Sequence, residues 1–215
     1  MAKIAIVGAN GTIGSRVLHE ALQRGHQVTA VARDTSKITM RHPNLTVAAG
    51  DVLEPDSVAT VAEGQDVLIS AVGGGPGSAS TIEPAAESLV AGLRTLGGNA
   101  PRLIAVGGAG SLRTADGKKA WDLEGLPKAA LPAMHAHGDA LDFYRSVTDG
   151  VEWTCLCPAA VTEPGDRTGF YRTALDDLVV ADDGTSRIST EDFAVALIDE
   201  IEEPKHIGER FAVGY

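Results

Sequence analysis

Lys3-Ile4-Ala5-Ile6-Val7-Gly8-Ala9-Asn10-Gly11-Thr12-Ile13-Gly14 begins two residues into the chain, and the reading of the fold starts there. Ile4 to Val7 are four consecutive apolar residues. A strand without a polar face is buried on both sides, as in a parallel sheet covered by helices. Beyond Gly14 the apolar residues Val17, Leu18, Ala21 and Leu22 recur at helical spacing, and Gly25 ends the helix. The glycines between strand and helix follow Gly-x-x-Gly-x-x-Gly. In that context one glycine permits the tight turn, one lets a pyrophosphate approach the backbone, and one allows close packing of helix on strand. The helix N-terminus adds free N–H groups and a partial positive charge. Gly8, Asn10, Gly11, Thr12, Ile13 and Gly14 are therefore the expected phosphate cradle of a bound dinucleotide.

The alternation continues outward. Strands are expected over His26 to Ala32, Leu45 to Ala49, Asp66 to Val72, Arg102 to Val106 and Glu152 to Cys157. Helices are expected over Asp56 to Ala62, Thr81 to Leu96 and Pro132 to Thr148. Gly107 to Leu131 has no period and reads as a long loop. In the tail, Asp182-Asp183-Gly184 signals a turn. Ser189-Thr190-Glu191-Asp192 resembles a capping box before a helix through Ile201, and Phe211 to Gly214 can add a last strand. The order is that of an α/β protein, a Rossmann-type doubly wound parallel sheet. The chain reads as one domain over 1–215, with 158–190 as a short substrate-side lid.

The charge bounds the partners. Eighteen Lys and Arg stand against 29 Asp and Glu, a formal charge of −11. A chain so acidic repels phosphate backbones and anionic lipid, so neither nucleic acid nor membrane is an expected partner. An anionic dinucleotide must then be held by backbone amides and a few local cations. No signal peptide and no bilayer-length apolar run is legible, and a cytoplasmic monomer or weak homo-oligomer is expected. Cys155 and Cys157 lack metal-site spacing and read as small core residues; no metal site is expected.

Several segments beyond the glycine turn share one pattern: Val31-Ala32-Arg33, Ala49-Gly50-Asp51-Val52, Ser70-Ala71-Val72-Gly73, Val106-Gly107-Gly108-Ala109-Gly110-Ser111, Pro158-Ala159-Ala160, Glu163 to Gly169 and Ser186 to Ser189. With the glycine turn they resemble the atypical short-chain dehydrogenase/reductases. Within these they resemble the bacterial NAD(P)-binding group named for NADH-flavin reductase activity, related to biliverdin reductase B and to NmrA-like regulators. The resemblance runs over essentially the whole chain. It implies that the Asp51 carboxylate and the Val52 amide meet the adenine. It also implies that Val106, Gly107, Pro158, Ala159 and Ala160 lie near the nicotinamide, with Ser111 beside it. Ala71, Val72 and Gly73 end a strand with small residues, against which a cofactor can lie. Gly73 to Gly77 is permissive backbone suited to a mobile loop.

The second strand ends in Arg33 where a carboxylate would bind both ribose hydroxyls. A guanidinium suits a 2′-phosphate, and Lys37 can add a second cation. NADPH is the expected cofactor; Asp34 keeps NADH open if it turns inward.

A Tyr-x-x-x-Lys pair, by which short-chain dehydrogenases protonate an alkoxide, is absent. Four residues beyond Tyr144 is Thr148, four beyond Tyr171 is Leu175, and Tyr215 is the last residue. Reducing a simple ketone without an acid leaves a high-energy alkoxide, whereas a reduced flavin or quinone is delocalised and water can protonate it. Hydride transfer from NADPH to a flavin- or quinone-like acceptor is therefore the expected activity. Ser111 and His137 are the candidate catalytic residues. His135 and His137 are about 200° apart on a helix and cannot both face the cofactor. Trp121 and Phe170 could stack on a planar acceptor, and Arg167 could reach a phosphate or an acidic acceptor. A dinucleotide-sensing regulator without turnover is the alternative. An epimerase or dehydratase fits less well, for want of the Tyr–Lys pair and a longer tail.

Overall fold

A computed structural model describes residues 1–73 and 79–215, so most of the glycine-rich stretch from Gly73 to Gly77 lies outside the described residues. Lys3–Val7 forms strand β1, and Ile4 to Val7 are all buried. Ile4 and Ile6 face one side of the sheet and Ala5 and Val7 the other, so the unbroken apolar run serves two cores. Helix α1 (Thr12–Gln23) buries Val17, Leu18, Ala21 and Leu22 on one face. Then come β2 (Gln27–Ala32), β3 (Leu45–Ala49), α2 (Pro55–Ala62), β4 (Val67–Ser70), α3 (Ala79–Thr95), β5 (Arg102–Val106), α4 (Leu131–Ser146) and β6 (Trp153–Cys157).

Eight strands make the main sheet, in the order β3-β2-β1-β4-β5-β6-β10-β8. All neighbours are parallel except β8 (Arg172–Ala174), which runs antiparallel to β10 (Glu209–Gly214). The chain order reverses between β1 and β4. Such a switch point opens a crevice at the carboxyl ends of the strands, where α/β proteins bind nucleotides. Helix α1 packs on α5 (Thr190–Glu202) over one face, and α3 packs between α2 and α4 over the other.

The tail departs from a plain lid. Within 158–190, β7 (Val161–Glu163) and β9 (Arg187–Ser189) form a separate parallel pair, while β8 extends the main sheet. Three-residue strands carry too little pattern to be read from sequence. The loop of 107–130 is not featureless: Ala109–Ser111 and Ala120–Asp122 are single 3₁₀ turns. The capping box is half made. Ser189 Oγ accepts from Asp192 N, but the Asp192 carboxylate accepts instead from the amides of Thr168 and Gly169 and from the hydroxyls of Thr168 and Tyr215. Those bonds hold Asp192 below the usual carboxylate range against the opposing effect of burial. A buried carboxylate at the start of α5 thus anchors the 165–171 loop. Among the described residues no helix is long and apolar enough to cross a membrane.

Candidate functional site

The glycine turn is sterically defined. Gly8 has φ +80°, and a Cβ there would stand 2.7 Å from the Ala71 carbonyl oxygen at the end of β4. A Cβ on Gly14 would stand 2.1 Å from the Gly8 carbonyl oxygen, so α1 can pack this close only with glycine there. Gly11 is less constrained by the protein: its Cβ would meet the Gly8 oxygen at 3.2 Å, and Gly11 is exposed. The first and third glycines serve the fold, and the middle one leaves open approach to the start of α1, where Thr12 and Ile13 lie.

Beside this turn, over the ends of β1, β2 and β3, lies a cavity of about 260 Å³. Gly8, Asn10, Arg33, Lys37, Asp51, Val52 and Val72 line it, seven of the expected residues brought together from four loops. Val31, Ala32, Gly50, Leu53 and Thr81 line it as well and were not anticipated. The first four lie within two residues of expected positions. Thr81 comes from the first turn of α3, a contact across the fold with no sequence signal.

Arg33 and Lys37 are both exposed at this cavity. The ion pairs of the described residues engage other cations. Asp34 caps its own short turn, its Oδ1 accepting from Ser36 N at 3.1 Å and from Ser36 Oγ at 2.6 Å. These bonds keep its carboxyl below the usual range. Asp51 Oδ1 accepts from Leu53 N at 3.0 Å, and Ser57 Oγ accepts from the Asp51 amide at 2.9 Å. Asp51 is thereby held at the end of β3 with one carboxylate oxygen outside that turn.

The other half of the crevice lies over β4, β5 and β6. Ala71 and Gly73 follow β4, Val106 and Gly107 close and follow β5, and Pro158 to Ala160 follow β6. His137 reaches in from α4. Its Nε2 lies 3.4 Å from the Gly73 carbonyl oxygen, and a Cβ on Gly108 would stand 3.1 Å from its ring. Burial pushes its pKa down, only partly offset by the bond to Gly73, so His137 is neutral at neutral pH. His135, two residues earlier, is exposed against the ring of Trp121 at 4.6 Å.

Four residues stand elsewhere than expected. Ser111 is buried, and its hydroxyl accepts from Arg210 Nη1 at 2.8 Å, a cation on β10 that also pairs with Asp176. Its oxygen is engaged with the protein interior. Arg167 forms a two-bond pair with Glu20, at 2.7 and 2.8 Å, which commits its Nε and Nη2 to the protein. Trp121 lies against Gly110 and Gly138, where a Cβ on either would meet its ring at 3.0 and 2.8 Å. Phe170 is 81% exposed and borders a separate cleft between β8 and the end of α5. For Ser111, Trp121 and Arg167 a partner distant in sequence decides the position. Among the described residues no cluster of His, Cys, Asp or Glu is placed to hold a metal.

A glycine cradle and a cavity with two cations, at a Rossmann switch point, is the geometry of a dinucleotide site. A family model described as NAD(P)H-binding matches residues 8–204. The chain belongs to the NAD(P)H-binding family. It is 37% identical over 214 residues to the uncharacterized protein YwnB of Bacillus subtilis, covering 98% of this chain and 97% of that one. A solved structure from Bacteroides thetaiotaomicron, named "putative epimerase", is 41% identical, with TM-score 0.90 over 100% of this chain and 97% of that one. One from Streptococcus pneumoniae, named "putative NADH-flavin reductase", is 30% identical, with TM-score 0.84 over 100% and 99%. The family match spans both halves of the crevice in sequence, and the names of these structural neighbours diverge on the chemistry.

Proposed function

We propose that the chain is an NADPH-dependent reductase that passes hydride to a flavin- or quinone-like acceptor. The observation that carries the reading is the pair Arg33 and Lys37 at the mouth of the 260 Å³ cavity, with Asp34 turned onto Ser36. Two exposed cations that form no ion pair among the described residues suit a 2′-phosphate, and a carboxylate engaged in its own turn does not compete for the ribose hydroxyls. Gly8 to Gly14 would hold the pyrophosphate, and Asp51 and Val52 the adenine. The nicotinamide, when bound, supplies the hydride.

The acceptor follows from what the far half of the crevice lacks. No Tyr-x-x-x-Lys pair exists in the chain. His137 is held neutral, and the Ser111 hydroxyl is engaged by Arg210. None of these is a strong acid, so an acceptor whose reduced form needs no forced protonation fits best. The same lack weighs against the epimerase named for the Bacteroides relative. The reductase named for the Streptococcus relative supports this reading. The partner is then a small molecule, and catalysis rests on proximity and orientation.

Steady-state NADPH oxidation with one free flavin and one quinone tests it. Turnover with either is expected, and His137→Ala lowers it by less than about tenfold. Loss of more than about 99% of the rate with binding intact, about 2.7 kcal/mol of barrier, would make His137 a true acid and sink the acceptor argument. Tight dinucleotide binding with no turnover would put a sensing protein in place of an enzyme.

A further inference from the structure

His137 and Tyr144 are seven residues apart on α4. Seven residues turn a helix through about 700°, so both side chains leave one face, about 10 Å apart along the axis. Helical side chains lean toward the helix N-terminus, which aims Tyr144 back toward His137. Ala140 lies between them on the same face and is too short to fill the gap. What remains is a cavity of about 20 Å³, lined on the helix side by His137, Ala140, Leu141 and Tyr144, and elsewhere by Ser70, Gly107 and Cys155 and by apolar side chains such as Val72, Ile82 and Val106. One water needs roughly 10–15 Å³ of such space and two or more polar partners.

The partners are present. Tyr144 is 4% exposed, and burial, with a smaller effect of Cys155, pushes its phenol well above the ordinary value, so it stays protonated. Among the described residues nothing hydrogen-bonds its hydroxyl, and nothing hydrogen-bonds His137 Nδ1. Tyr144 is more than nine-tenths buried as a residue, and the cavity it lines has room for one water. The facing atom of Gly73 is a carbonyl oxygen, which only accepts, so this 3.4 Å contact favours the tautomer with the ring proton on His137 Nε2. In a neutral imidazole Nδ1 is then an acceptor.

We infer that this cavity is a one-water site joining Tyr144 to His137. The Tyr144 O–H donates to the water, the water donates to Nδ1, and the imidazole is held as its Nε2–H tautomer. Its remaining proton points to the Gly73 side of the crevice. Tyr144 is a positioning residue that acts through the water. That the proton faces an acceptor rests on the reductase reading; the tautomer and the water bridge do not.

Long-range ¹H–¹⁵N NMR of the labelled protein without dinucleotide reads which ring nitrogen of His137 carries the proton, with the His137→Ala spectrum for assignment. The parent is expected to show Nε2–H alone. Tyr144→Phe removes only the hydroxyl, and a several-fold rise in the Nδ1–H form is expected. Ala140→Val fills the void with Tyr144 intact and is expected to do the same, which decides the matter should the phenylalanine variant not fold. An Nδ1–H parent, or an unchanged Nε2–H signal in a folded variant, overturns the inference. A parent that shifts as described yet reduces neither flavin nor quinone leaves the water bridge standing and removes only the reductase reading.

Discussion

Arg33 follows β2 at the cavity mouth and forms no ion pair among the described residues. Its loss should therefore be felt by the nucleotide that carries the extra phosphate. Arg33→Ala is expected to weaken NADPH by about 1–3 kcal/mol while NADH changes little. Fluorescence titration of both nucleotides checks this, and equal losses would show that Arg33 does not read the 2′-phosphate. Ser111 behaves differently because its hydroxyl is the acceptor for a buried guanidinium. Arg210 already has an Nε without a partner among the described residues. Ser111→Ala would leave Nη1 without this acceptor too, at a cost of about 1–3 kcal/mol. Chemical denaturation should record that loss, while dinucleotide affinity stays near the parent value. The sequence offered Ser111 as a candidate beside the nicotinamide, but it could not show that a residue 99 positions later takes its oxygen.

Among the elements, the joint between α1 and the 165–171 loop depends on Glu20. Its carboxylate accepts from Arg167 and from Arg24 Nε, and Arg24 goes on to Asp199 and Glu202 on α5. The Arg167 bonds lower the Glu20 pKa most, against the opposing effect of burial and with further lowering from Arg24. A carboxylate whose folded pKa is depressed contributes stability in full above its unfolded value, about 4.3, and loses it as pH falls through the folded value. Glu20→Gln is therefore expected to destabilise the protein at neutral pH by about 1.5–3 kcal/mol. The gap between the two proteins should close as pH drops below about 4.3. Denaturant midpoints from pH 7 to pH 3 measure it, and a gap independent of pH would assign the bonds no electrostatic part. The helices and the long strands of this joint were legible from periodicity. The Glu20–Arg167 pair was not, since nothing local marks which of 18 basic side chains a buried glutamate meets.

At the scale of the whole molecule, the cavity is assembled from the ends of β1, β2 and β3 together with α3. A dinucleotide seated there would tie these elements together. Ligand at a hundred times its Kd adds about 2.7 kcal/mol to the folded state. For a chain of this size that is a rise in Tm of about 5–10 °C. NADPH is expected to produce it at lower concentration than NADH, as thermal melts over a concentration series would show. Equal midpoints at equal concentrations would remove the case for Arg33 and Lys37 as a phosphate pair. The acidic balance of the chain makes this locality matter: with a formal charge of −11 the overall field opposes the ligand, so the cradle must act at short range.

By itself the sequence determined the α/β alternation, the glycine turn and the strand-end positions of seven residues that line the cavity. Each of these is written locally: a period of apolar residues, a spacing of glycines, the residue that closes a strand. In a parallel sheet every strand end must fall at the same edge, so local reading is enough to gather them. The tertiary structure alone decided which side chains are free once they arrive. Arg33 and Arg167 are both arginines in loops beyond strands, yet among the described residues one has no ion pair at the cavity and the other is spent on Glu20. Likewise β8 exists only because β10 offers it an edge, and the space between His137 and Tyr144 only because the sheet closes over Ala140. Hydrogen bonds and voids of this kind depend on distances between residues far apart in the chain, and no local pattern records them.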